Sequence, residues 1–87
     1  MPGNPKPKAT IVRIDGSQED LYQKPTLADL QRAVGGFVEY VRATDIMGNP
    51  VQLAVDEDGN PKQKPVNRPI GERFGILITG NAVVLYE

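Results

Sequence analysis

The side chains that could bind an anion are concentrated in residues 60–73. Four basic residues lie there, with an asparagine among them: Lys62, Lys64, Arg68, Arg73 and Asn67. Arginine presents a planar fork of N–H groups that fits a phosphate or carboxylate, and an asparagine amide can read an amide or base edge. We predict an anion site here, with Arg68 as the forked donor and Asn67 as the orienting amide. A solvent-exposed loop that needs charge would have the same composition, so that interpretation stays open.

Glu39 is the acidic residue in the most unusual predicted position. It shares one face of a predicted strand with the apolar residues Phe37 and Val41. A carboxylate in such surroundings could be an acid with a shifted pKa in a cleft. We favour a structural ion pair with Arg68 or Arg73, and we include Glu39 in the predicted site because it would then position Arg68.

The chain lacks the side chains on which most catalytic sites depend. It has no histidine and no cysteine, and Ser17 is its only serine. These absences exclude zinc sites of the usual kind and Ser–His or Cys–His nucleophiles. The acidic segment 56–60 does not match a calcium-binding loop, because its glycine is at the wrong position and the required glutamate is missing. We therefore predict that the protein is not an enzyme and has neither a metal nor a cofactor.

The composition indicates a single domain with a modest core. The chain has 87 residues, and its first eight include three prolines and two lysines. We interpret residues 1–8 as a flexible tail, with a partner-binding arm as the alternative, and residues 9–87 as one domain. Since no disulfide can form, aliphatic packing must stabilise this domain, and a homodimer that adds to the core remains an alternative.

The charge and hydropathy patterns exclude several classes of partner. The net charge is −1, with acids and bases interspersed, whereas a dedicated DNA-binding domain usually has a clear basic excess. Nucleic acid is therefore an unlikely partner. No apolar run approaches the roughly 20 residues that cross a bilayer, and the first residues lack the apolar region of a signal peptide. We expect a cytoplasmic protein without membrane contact.

A short helix is predicted at residues 27–34. Thr26 and Asp29 fit a capping box at its beginning, and Gly35 can adopt the left-handed conformation that ends a helix. One apolar face carries three residues at helical spacing, namely Leu27, Leu30 and Val34. Eight residues are too few for a stable isolated helix, so this face must pack on a sheet. Gly36 remains after the helix end, and close packing of backbone against a neighbour would explain it.

Alternating and β-branched residues predict the strands of that sheet, and the third of them has apolar residues on both sides, as in a central strand. The strands are Ala9–Ile14, Glu19–Gln23, Phe37–Arg42, Val51–Asp56 and Ala82–Tyr86. Residues 60–73 are predicted to be a long loop that crosses the sheet. Residues 74–80 fit either the first strand of a terminal hairpin or a short helical turn. The predicted fold is α+β, with one short helix packed on an antiparallel or mixed sheet of four to six strands.

The chain resembles a small domain family of phages and plasmids, the domain of unknown function of the DUF3846 type. The resemblance covers about residues 9–86 and is most specific at residues 30–39. It rests on nine positions: Leu30, Gln31, Val34, Gly35, Gly36, Glu39, Gly59, Asn67 and Gly80. The tail and residues 44–50 depart from the pattern. The resemblance implies an origin in a mobile element, and it implies no activity.

The resemblance and the missing catalytic groups together favour a function in binding. By analogy with other small accessory phage proteins, our first hypothesis is a non-catalytic binding module of phage or mobile-element origin that acts on a host protein in the cytoplasm. One alternative is an anti-defence sponge, which would sequester a nucleotide signal in a pocket formed with a second subunit. The other is a nucleic-acid accessory protein. The predicted partner is thus a host protein or a small anionic ligand.

Overall fold

A five-stranded antiparallel sheet organises the chain, and the computed structural model describes residues 5–59 and 61–86. The strands lie in the order β2-β1-β5-β4-β3, which confirms the predicted α+β class. In chain order the elements are β1 (Ala9–Val12), β2 (Gln18–Leu21), α1 (Leu27–Val34), β3 (Val38–Thr44), β4 (Pro50–Asp56), α2 (Arg68–Phe74) and β5 (Ala82–Tyr86).

The predicted tail is anchored at its last residue. The Lys8 N–H donates to the carbonyl of Leu21 at 2.7 Å, and the Lys8 carbonyl accepts the N–H of Tyr86 at 3.2 Å. Lys8, the last residue of the predicted tail, is therefore joined to the sheet through its backbone, and the flexible tail over residues 1–8 stays a prediction. Residues 1–4 of the predicted tail lie outside the described residues.

Helix α1 begins and ends at the predicted residues. The Thr26 hydroxyl accepts the Asp29 N–H at 3.1 Å, and the Asp29 carboxylate accepts the Thr26 N–H at 2.9 Å, which completes the capping box. Gly35 ends the helix with φ 78°, in the left-handed region. Leu30 is buried as predicted, but Leu27 is 56% exposed, because the sheet covers the later turns of α1 and leaves its first residue uncovered.

The sheet carries a hydrophobic cluster on each face. α1 packs on one face, where the buried residues are Ala9, Leu30, Val34, Ala54 and Val83. α2 packs on the other, where they are Val12, Val51, Leu53, Val55, Ile70, Phe74, Ile78, Ala82 and Val84. β4 contributes to both clusters and is buried on both faces from Leu53 to Asp56. The alternation of apolar and polar residues along β4 is typical of a strand with one solvent-exposed face, but here α1 covers the second face.

A second helix, α2, occupies much of the segment predicted to be a loop. Asn67 caps its beginning, Pro69 is in its first turn and Gly75 ends it with φ 69°. Its apolar face consists of Ile70 and Phe74, which are too few to produce a visible helical period in the sequence. The prediction of a single helix was therefore wrong in number, although the fold class is confirmed.

The structure corrects two further predictions, one for β3 and one for residues 76–78. β3 lies at an edge of the sheet and not at its centre, which β5 occupies. The apolar residues on both sides of β3 misled this prediction, since Val38 and Val41 are only half-buried and Tyr40 is 51% exposed. Residues 76–78 form neither a strand nor a helical turn, because α2 ends at Phe74 and the only strand-like pairing of this described segment is the bridge between Val66 and Thr79.

Replacing Leu30 with alanine should lower the free energy of unfolding by about 2–5 kcal/mol, because Leu30 is a buried side chain of α1. Leu27→Ala is the matched control, and we expect a change below about 1 kcal/mol because Leu27 is already exposed. Chemical denaturation of both variants measures the difference. Equal losses would mean that α1 does not dock on the sheet through Leu30.

Candidate functional site

Both predicted ligand-binding lysines, Lys62 and Lys64, converge on one buried carboxylate. Asp56, at the end of β4, has a fully buried side chain. Its Oδ2 lies 2.8 Å from Lys62 Nζ and 2.6 Å from Lys64 Nζ. Its Oδ1 accepts the N–H of Asp58 at 2.9 Å. The two ammonium groups therefore compensate a charge inside the protein, and we call Asp56, Lys62 and Lys64 the lysine clamp.

The lysine clamp also closes the end of α1. Lys64 Nζ donates to the carbonyl of Val34 at 2.7 Å, and Lys62 Nζ lies 3.4 Å from the carbonyl of Gly35. The last carbonyls of a helix lack partners within the helix, and cations are favourable there. Gly36 makes room for the clamp, since a Cβ at this position would lie 2.7 Å from Lys62 Nζ and 2.8 Å from Asp56 Oδ1. The close packing predicted for Gly36 is confirmed.

The charges in the clamp shift the pKa of Asp56 and of Lys62. Burial alone would raise the pKa of the Asp56 carboxyl, but hydrogen bonds from Lys62, Lys64 and the Asp58 N–H outweigh burial and hold that pKa well below its usual range. The hydrogen bond to Asp56 raises the pKa of Lys62. Both shifts favour the charged forms, which is the behaviour of a structural ion pair.

Asn67 is a structural residue at the centre of the α2 side of the sheet. Its side chain is fully buried, and its amide nitrogen donates to the carbonyls of Val12 at 2.9 Å and Gly80 at 3.0 Å. Its side-chain oxygen accepts the Ile70 N–H at 3.2 Å and caps α2. Both amide hydrogens are thus used within the fold, which leaves neither of them for a ligand.

The remaining predicted site residues do not join the clamp. Arg68 is exposed at the first position of α2, and Arg73 stacks on the ring of Phe74 with 5.1 Å between Cζ and the ring centroid. Glu39 is exposed on β3 and, among the described residues, forms no ion pair with Arg68 or Arg73. The prediction of an ion pair between Glu39 and either Arg68 or Arg73 is therefore wrong. The four basic residues are divided between the two faces of the sheet, because α1 and α2 lie on opposite faces.

A groove of about 620 Å³ lies between α1 and β2. Its apolar lining comes from both helix and sheet, in particular Ile11, Leu21, Leu30, Ala33 and Val83. Three acidic and two basic side chains also line it, namely Glu19, Asp20, Asp29, Lys24 and Arg32. Tyr22 lines the groove as well and is 54% exposed. We call this surface the α1–β2 groove.

The family membership that the sequence resemblance indicated is tested by a match to a family model. The model of a family described as a domain of unknown function (DUF3846) matches residues 2–87. The chain belongs to the DUF3846 family. The matched range includes the proline-rich residues 2–8, which lie outside the resemblance seen in residues 9–86. No curated protein and no solved structure matches the chain.

In this DUF3846 domain, sequence reasoning missed Asp56 and the α1–β2 groove. Asp56 ends a strand whose alternation placed it on a polar face, and its lysine partners lie six and eight residues later in an irregular segment. The groove depends on the distance between α1 and β2, which no sequence pattern reports. The described residues contain no helix with the length and hydropathy required to cross a lipid bilayer.

Proposed function

We propose that the protein is a non-catalytic binding module of a phage or related mobile element, and that it binds a host protein through the α1–β2 groove. One observation carries this proposal: the groove is lined by apolar side chains together with charges of both signs. Concave sites of this composition accept an apolar side chain and fix its orientation with a few polar groups. Interfaces between proteins concentrate binding energy in such central, desolvated anchors.

The charge of the groove favours a protein over a nucleotide. Three acidic and two basic side chains line it, so its formal net charge is −1. The attraction needed for phosphate groups is absent from such a surface. The sponge hypothesis also loses support elsewhere, because the clamp engages Lys62 and Lys64 and the fold engages Asn67. A cytoplasmic location is part of the proposal, since the partner would be a host protein.

The proposal is tested with two substitutions on one helix. Ala33 lines the groove, whereas Ala28 is exposed on α1 and does not line it. A tryptophan at position 33 fills the groove, and a tryptophan at position 28 is the matched control. The tagged protein is expressed in the cell that carries its gene, and a stoichiometric partner is identified and purified. We expect Ala33→Trp to weaken binding at least tenfold in calorimetry and Ala28→Trp to bind like the unsubstituted protein.

Other results would overturn the proposal in distinct ways. If Ala33→Trp and Ala28→Trp bind the purified partner equally well, the groove is not the binding site. Submicromolar binding of a cyclic dinucleotide or an ADP-ribose derivative would support the sponge. Oligonucleotide binding with a steep salt dependence would support the nucleic-acid accessory protein.

A further inference from the structure

The edge strand β3 lacks most of the features that protect edge strands. It has seven residues in uninterrupted register with β4, from Val38 opposite Asp56 to Thr44 opposite Pro50. This register contains no bulge, and the strand sequence VEYVRAT contains neither lysine nor proline. Natural edge strands are usually short, bulged or marked by proline or charged side chains, lysine above all, which prevents pairing with another chain. The two exposed charges of β3, Glu39 and Arg42, have opposite signs and so do not by themselves repel a second copy of the strand. The open edge of β3 is therefore suited to accept a further strand.

The opposite edge, β2, is protected. It has only four residues, and its first three are polar and exposed. Glu19 forms an ion pair with Arg13 at 2.7 Å, and Asp20 accepts the hydroxyl of Thr10 at 2.8 Å. Two carboxylates on so short a strand would repel each other if β2 paired with itself. The two edges of the sheet thus differ in length and in charge.

The hydrogen bonds at the ends of β3 show which backbone groups face outward. The Phe37 carbonyl accepts the Glu57 N–H at 3.0 Å, and the Asp45 N–H donates to the Asn49 carbonyl at 3.1 Å. Residues of an antiparallel strand alternate between the two neighbouring strands in their backbone hydrogen bonds. The odd-numbered residues of β3 therefore face β4. The even-numbered residues present their N–H and carbonyl groups outward: Val38, Tyr40, Arg42 and Thr44.

We propose that β3 pairs antiparallel with β3 of a second copy of the chain, with the two Val41 residues opposite each other on the two-fold axis. This register pairs Val38 with Thr44 and Tyr40 with Arg42, so all four outward residues of each copy form hydrogen bonds. A shift by two residues in either direction uses only three of them. One of these shifts also places the two Arg42 side chains opposite each other.

The side chains in this register are complementary. Tyr40 and Arg42 lie on the α1 face, since they pair with Ala54 and Gln52 of β4. Both are exposed, so the ring of one copy and the guanidinium of the other can stack at the interface. Glu39, on the other face, lies opposite Ala43 of the second copy. No charge is therefore opposite a charge of the same sign, which identical strands achieve only in a suitable register.

Exposed apolar residues at both ends of β3 fit the same arrangement. Phe37 precedes the strand and is 68% exposed, and Ile46 and Met47 follow it with 89% and 80% exposed. Antiparallel pairing brings the beginning of one β3 to the end of the other. Phe37 of each copy then lies at the level of Asp45 and Ile46 of the second copy. These side chains have no place in either hydrophobic cluster of the single chain, and the dimer would cover them.

Single cysteines test both the dimer and its register, because the chain has no cysteine of its own. The Cα atoms of a non-hydrogen-bonded antiparallel pair are about 4.5 Å apart, within the range of a disulfide. After mild oxidation with diamide, Val41→Cys should give a covalent dimer. Glu39→Cys and Ala43→Cys should each remain monomeric on a non-reducing gel, but a mixture of the two should form a covalent heterodimer. Glu19→Cys, on β2, is the control at the other edge and should not cross-link.

Sedimentation of the unsubstituted chain provides the independent measurement. We expect a dimer at micromolar concentrations. A monomer at 100 µM overturns the proposal. Cross-linking of Glu19→Cys would overturn the β3 interface. Cross-linking of Glu39→Cys alone to the same extent as Val41→Cys would overturn the proposed register. The groove is tested with substitutions at Ala33 and Ala28 on α1, whereas the dimer is tested on β3. Failure of the dimer proposal and failure of the groove proposal are therefore separate outcomes.

Discussion

Replacing Asn67 with alanine should lower the free energy of unfolding by about 3–5 kcal/mol. The substitution removes the cap of α2, which contributes about 1 kcal/mol. It also leaves the carbonyls of Val12 and Gly80 without the two amide hydrogens that Asn67 donates, and each unsatisfied buried group costs about 1–3 kcal/mol. Chemical denaturation followed by circular dichroism measures the loss.

Two further variants separate the roles of the Asn67 side chain. Asn67→Asp keeps an oxygen for the Ile70 N–H but points a carboxylate at two carbonyl oxygens, so we expect it to be at least as destabilising as alanine. Asn81→Ala is the matched control, because Asn81 accepts one hydrogen bond from the Ile14 N–H at an exposed position. We expect the control to lose less than about 1 kcal/mol. Similar losses at positions 67 and 81 would contradict the structural role of Asn67.

Replacing Asp56 with asparagine should lower the free energy of unfolding by about 3 kcal/mol at pH 7. Breaking a buried ion pair usually costs about 3–5 kcal/mol. We expect the lower end of this range because Lys62 and Lys64 are partly exposed, at 43% and 23%, and can regain water. Glu57→Gln is the control on the neighbouring exposed residue, with an expected change below about 0.5 kcal/mol.

The effect of Asp56→Asn should disappear in acid. The folded protein holds the pKa of Asp56 below that of the unfolded chain, which is about 3.9. A group with a depressed pKa stabilises the folded state above the unfolded pKa, and this contribution is lost as the pH falls toward the folded pKa. The difference between the original protein and the variant should therefore be constant above about pH 5 and shrink below about pH 4. A difference that is the same at pH 7 and pH 3 would contradict the charge-based role of the clamp.

The success of the sequence predictions depended on how local each signal was. Thr26, Asp29 and Gly35 act on the backbone within four residues, so the bounds of α1 were predicted correctly. Asn67 and Gly75 are equally local signals for α2. They were missed because Pro69 and Gly71 lower the helix propensity of the segment and only two apolar residues mark its buried face.

The candidate sites depended on contacts between distant parts of the chain. Lys62 and Lys64 have the composition of an anion site, and their role follows only from the position of Asp56 beside the end of α1. Asn67 reaches a carbonyl 55 residues away in β1. The edge position of β3 depends on β5, which follows β3 by almost 40 residues in the chain, so no pattern within β3 could report it.

The position of β5 also sets the order of events during synthesis. The two local hairpins, β1–β2 and β3–β4, can form as soon as their residues leave the ribosome, but neither is bonded to the other in the sheet. β5 joins them, with β1 on one side and β4 on the other. During synthesis the two hairpins therefore stay unjoined, with their apolar faces uncovered, until β5 emerges. The sheet is complete only after β5 has emerged from the ribosome, and until then the nascent chain is most accessible to chaperones and proteases.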